Sequence, residues 1–140
     1  MNVLVAHDGS PQADKALEAA VTLASAPGGR LDIVSVVPDL CLSSEEISVE
    51  DCNLIAASLA TEARGLMAKV EQGLSGRGVS AQVHIRHGRP AEAIAECAAD
   101  LGSDVAVLGS HGRHGAARAL LGSVSSRVAE LARCNVFIVK

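Results

Sequence analysis

Two hydrophobic periods alternate along this chain, and the switches between them predict its elements. Short apolar runs at residues 2–6, 31–37, 104–108 and 136–139 read as buried strands. Residues 79–86 alternate instead, with Val79, Ala81, Val83 and Ile85 on one side, the pattern of a half-exposed strand toward a sheet edge. Between the strands, apolar residues recur at helical spacing. The first stripe is Ala13, Ala16, Leu17, Ala20, Val21 and Ala24, and the second Ile55, Leu59, Ala63, Leu66, Val70 and Leu74. The third is Ala91, Ile94, Cys97, Ala98 and Leu101, and the last Val124, Val128 and Leu131. Ser10 caps a helix that starts at Pro11, and Pro90 opens another. Pro27-Gly28-Gly29, Gly76-Arg77-Gly78 and Gly102 close three helices, and residues 39–50 read as a polar, acidic loop.

The order is β-α-β-α-β-α-β-α-β. Helical crossovers require a mostly parallel sheet with right-handed connections, so the expected class is α/β with helices on both faces. Ligands in such sheets bind outside the carboxyl ends of the strands, where the strand order reverses. With an order of 3-2-1-4-5, that point is flanked by His7-Asp8-Gly9-Ser10 and by the segment from Gly109 onward.

That segment runs Gly109-Ser110-His111-Gly112, then Gly115, then Gly122-Ser123, a Gly-x2-Gly-x9-Gly-Ser spacing between a strand and a helix. Glycines let backbone N–H groups approach an anion without a Cβ in the way. A helix start adds free N–H groups, and Ser123 and Ser125 add hydroxyls. This is a phosphate cradle in outline. An ordinary loop with Ser123 as a structural cap is the alternative.

Composition narrows the field. The 140 residues suit one domain, 1–140, and the sole aromatic is Phe137, so the core is built from Ala, Val, Leu and Ile. Without aromatic stacking platforms, and with a net charge of −4, no nucleic-acid partner is expected. No apolar run is long enough for a membrane span, and an opening straight into a strand leads us to expect no secretory signal. Cys41, Cys52, Cys97 and Cys134 have no zinc-like spacing and are expected as reduced thiols in a cytoplasm.

Val5-Ala6-His7-Asp8-Gly9-Ser10, Gly88-Arg89-Pro90-Ala91 and the stretch from Leu108 to Val124 together resemble the universal stress protein family, with matching element order over the whole chain. The resemblance implies a Rossmann-like, adenine nucleotide alpha hydrolase-like fold with a five-stranded parallel sheet. It also implies ATP binding, a homodimer and a regulatory role in stress. Gly109, Gly112, Gly122 and Ser123 match the family's phosphate-binding positions, with Ser110, His111, Val124 and Ser125 beside them. Asp8 matches the acidic residue near the ribose and a Mg²⁺ or Mn²⁺ ion; its bland alternative is a turn former before Gly9. Val36 matches the position whose backbone meets adenine, with Ala6 and His7 flanking. His7 replaces a usually small or apolar residue, and either stacks on the base or partly blocks it. The last strand, 136–139, is the expected dimer edge.

Other histidines and arginines carry weaker expectations. His7, His111 and His114 form a conceivable metal set; Arg113 and Arg118 either neutralise a terminal phosphate or sit solvated; His84 and His87 look solvent-facing. No P-loop, G-x-G-x-x-G fingerprint, serine elbow or zinc-protease motif is present. Three function classes remain: an ATP-binding regulatory protein, a weak ATPase or phosphotransferase using Asp8 and His111, and a dimeric interaction module that binds no nucleotide. The first is expected, with slow hydrolysis at most.

Overall fold

The structure is a computed structural model, and it describes residues 1–41, 46–111 and 121–140. Its elements are β1 (Asn2–Ala6), α1 (Pro11–Ala24), β2 (Arg30–Pro38), α2 (Val49–Gly76), β3 (Gln82–Gly88), α3 (Pro90–Leu101), β4 (Val105–Gly109), α4 (Ser123–Leu131) and β5 (Asn135–Val139). The strands form one parallel sheet in the order β3-β2-β1-β4-β5. The expected strand order and class are therefore observed.

Local chemistry sets the ends of the elements. The Ser10 hydroxyl accepts from the Ala13 amide at 3.1 Å, so α1 begins where its capping residue stands. Gly102 ends α3 at φ 61°, a left-handed cap that favours glycine. Alternation along β1 then divides the core. Val3 and Val5 pack under α1 and α2 with Leu17, Ile33, Met67 and Val107, while Leu4 packs under α3 and α4 with Val34, Ile94, Ala106 and Val128.

Three expectations need correction. The stripe proposed for α2 fails at its start: Ile55 is exposed, and Met67 joins Ala63 and Leu74 as the buried residues. A 28-residue helix, about 42 Å long, outruns the strands it covers, so its first turns overhang the sheet. His84 is not solvent-facing. It lies 2.8 Å from Asp32, a fully buried carboxylate in β2 that Arg30 also holds at 2.8 Å, because a buried charge needs partners. Finally, Cys41 and Cys52 are joined as a disulfide with Cα atoms 5.8 Å apart, whereas Cys97 and Cys134 are free. The chain leaving β2 turns back onto the first turn of α2, which brings the two thiols together.

Candidate functional site

β1 is the hub of the site. Its crossover toward β2 covers one face of the sheet and the connection between β3 and β4 covers the other, so the carboxyl ends of β1 and β4 splay apart. A cleft of about 550 Å³ opens there, within the roughly 300–1,000 Å³ usual for small-molecule sites. Ala6, His7, Asp8 and Ser10 line one side, and Gly109, His111 and Gly122 to Ser125 another. Val36, Val37, Pro38 and Leu40, with Leu59 and Leu66 of α2, make the apolar end, and the Glu62 side chain of α2 also lines the cleft.

The β1 end is tightly built. The Asp8 carboxylate accepts from the Ser10 amide at 3.0 Å, and the turn between them needs Gly9 at φ 87°. The Gly9 amide donates to His7 Nδ1 at 3.1 Å, which leaves Nε2 as the donor to Asp14 at 3.0 Å. His7 is thus a buried brace for the Asp8 turn, with its ring anchored to the first turn of α1.

The β4 end is equally fixed. The Ser110 amide donates to the Val139 carbonyl, the Gly122 amide to the Ser110 carbonyl at 2.7 Å, and the Ser125 hydroxyl to the Gly109 carbonyl at 2.6 Å. Gly109 is glycine for packing: a Cβ there would stand 2.9 Å from Gln12 Cβ and 3.0 Å from the Gln12 carbonyl. Among the described residues, further donors come from the start of α4. Its N-cap, Gly122, has no side chain to cap with, so helix geometry leaves the amides of Ser123, Val124 and Ser125 facing the cleft mouth. Nearby, His111 Nδ1 meets the Ser110 hydroxyl at 3.1 Å, while its buried Nε2 has no hydrogen-bond partner among the described residues.

The structure therefore brings together Ala6, His7, Asp8, Val36, Gly109, His111, Gly122, Ser123, Val124 and Ser125 on one cleft. Ser110 stands behind it as a buried link to β5. Gly112, with Arg113, His114, Gly115 and Arg118, lies outside the described residues. Sequence reasoning missed the α2 wall, including Glu62. No local motif singles out Glu62. Among the described residues no cluster of three or more His, Cys, Asp or Glu is arranged to hold a metal ion. Of these residues, Asp8 and Glu62 are the two carboxylates that line the cleft.

The Universal stress protein family model matches residues 1–140. The chain belongs to the universal stress protein family. It is 31% identical to the universal stress protein YxiE of Bacillus subtilis, over 99% of this chain and 97% of that one. Among solved structures, universal stress protein UspA from Lactobacillus plantarum superposes with a TM-score of 0.86 at 27% identity, covering 100% of this chain and 97% of its own. A universal stress protein solved in complex with cAMP superposes at 0.66 with 25% identity, over 100% and 97% of the two chains. The family's five-stranded sheet and its order are those found here. No helix among the described residues is long and apolar enough to cross a membrane.

Proposed function

We propose that the cleft binds an adenine nucleotide, in the first place ATP with Mg²⁺ or Mn²⁺, and that the protein is a cytoplasmic regulatory module of the stress response. The observation that carries this reading is the uncapped start of α4, opening into the same cleft as Asp8. Amides at a helix start favour an anion, and the apolar end beside Val36 and Pro38 suits a purine. The cAMP complex of a family member supports an adenine nucleotide as the ligand class.

In this reading the amides of Ser123, Val124 and Ser125 donate to phosphate oxygens, with Gly109 and Ser110 shaping the approach. His111 Nε2, which has no partner among the described residues, gains one. Asp8 takes a ribose hydroxyl or the metal ion, while Ala6, His7 and Val36 border the base. Micromolar affinity needs about 8 kcal/mol, and each charge-assisted hydrogen bond contributes roughly 1.5–3 kcal/mol. Three such bonds plus base burial meet that sum; one does not. No catalytic residue is assigned. Homodimerisation through the β5 edge is part of the proposal, because Phe137 stands half-exposed on a strand whose outer side pairs with no strand among the described residues.

Thermal unfolding with Mg-ATP tests the reading. Ligand at a hundredfold excess over Kd is expected to raise the melting point by about 9 °C. Gly122→Val, which sets a branched side chain in the cleft mouth, is expected to remove the shift, each protein being compared with its own unliganded melting point. A wild-type protein that shows no shift overturns the proposal.

A further inference from the structure

Outside the phosphate end, the most unusual chemistry is the Cys41–Cys52 pair. Cys41 follows Leu40 in the turn after β2, and Cys52 lies in the first turn of α2, where its amide donates to the Ser48 carbonyl. The pair lines a second cavity of about 210 Å³. Val37, Pro38, Leu40 and Leu59 line both that cavity and the large cleft, so the disulfide is built into the wall between them. Cys52 and Leu59 are two helical turns apart on one face of α2. The cross-link therefore ties Leu40, on one side of the base end, to the helix that carries Leu59 on the other.

Among the described residues, little packing covers the outer side of this wall. From Val49 to Glu62 the helix is mostly exposed, with Val49 and Leu54 among the most exposed apolar residues of the chain. Both cysteines are half-buried and within reach of a small thiol. Cys97, by contrast, is fully buried, and that burial holds its thiol above the ordinary range. Two of four cysteines stay unpaired, and cytosolic disulfides, where they occur, are usually reversible.

We propose that Cys41 and Cys52 form a thiol–disulfide switch that sets the affinity of the cleft for its nucleotide, tighter when oxidised. This rests on the nucleotide-binding reading above. The oxidant is a small-molecule disulfide of the glutathione class. One cysteine thiolate attacks its S–S bond, forming a mixed disulfide and releasing one glutathione thiolate. The other cysteine thiolate then attacks the protein-side sulfur, closing the Cys41–Cys52 bond and releasing the second. Two electrons pass from the protein thiols to glutathione, and the two thiol protons leave with the products. Closing the bond pre-organises the base end and so lowers the ordering cost of binding.

The test uses the full chain equilibrated in oxidising and in reducing glutathione buffers, with Mg-ATP titrated into each and the bond state read by alkylation and mass. The oxidised form is expected to lose two hydrogens in mass, located at Cys41 and Cys52, and to bind Mg-ATP roughly three- to tenfold tighter. The double variant Cys41→Ser, Cys52→Ser is expected to bind with the reduced-form affinity in both buffers. Thiols that never pair, or equal affinities in the two forms, overturn the switch. Should neither form bind Mg-ATP, the nucleotide reading fails by itself. Hydrogen exchange of residues 49–62 then decides the switch: slower exchange in the oxidised protein supports a redox-controlled wall, and equal exchange overturns it.

Discussion

The two walls of the cleft are held by different means. On the β4–α4 side, backbone and short side chains lock one another: Ser110 to Val139, Gly122 to Ser110, Ser125 to Gly109, and Gly109 against the first turn of α1. On the β2–α2 side, Leu40 and the overhanging start of α2 are joined through the Cys41–Cys52 bond and a thin apolar contact. In the proposed reading the rigid wall, with its exposed helix amides, meets the phosphates, and the adjustable wall meets the base, the part that every adenine nucleotide shares.

The rigid wall is the place to break this contrast most forcefully. Gly109→Ala drives a methyl group into the Gln12 backbone, and overpacking of this kind costs roughly 1–3 kcal/mol. The melting point is expected to fall by about 3–10 °C without ligand, in a chain of this size. This separates Gly109 from Gly122. They share a motif, yet the first is a packing glycine and the second a cleft-mouth glycine. A Gly109→Ala protein that melts like wild type would mean that the wall yields.

The far end of α2 sharpens the contrast at smaller scale. Arg77, at the end of that helix, grips Glu18 of α1 through both carboxylate oxygens, at 2.6 and 3.0 Å. The bond to Arg77 holds the Glu18 carboxyl below its ordinary range. A carboxylate lowered in the folded state stabilises above its unfolded pKa, and the contribution is lost as pH falls through the folded value. Both partners are solvent-exposed, so the effect is small. Melting points followed downward from neutral pH are expected to drop slightly more for wild type than for Arg77→Gln through the carboxylate range; identical slopes would show that the anchor contributes nothing.

Much of this was legible in the residues. Strand order followed from apolar runs joined by helices, because buried parallel strands read as continuous apolar segments. Ser10-Pro11 and Gly102 marked helix ends through their own backbone chemistry. The convergence of Asp8 with Gly122 and Ser123 followed from the switch point. What was hidden depends on contacts between distant residues. Met67 was passed over because the α2 stripe was phased on Ile55, which overhangs the sheet. His84 was read as solvent-facing because its partner, Asp32, is 52 positions away on the neighbouring strand. His7 looked like a ligand residue, and only the positions of Gly9 and Asp14 reveal the brace. The Cys41–Cys52 pair has no signature beyond its loop, since spacing alone does not choose partners.

The central claim is that the helix-start amides of α4 meet the phosphates, and amide NMR reads it directly. On titration with Mg-ATP, the backbone resonances of Ser123, Val124 and Ser125 are expected to move most, together with Asp8, and to move less with adenosine, which carries no phosphate. Resonances that stay in place at saturating nucleotide, or that shift equally with adenosine, would contradict the account.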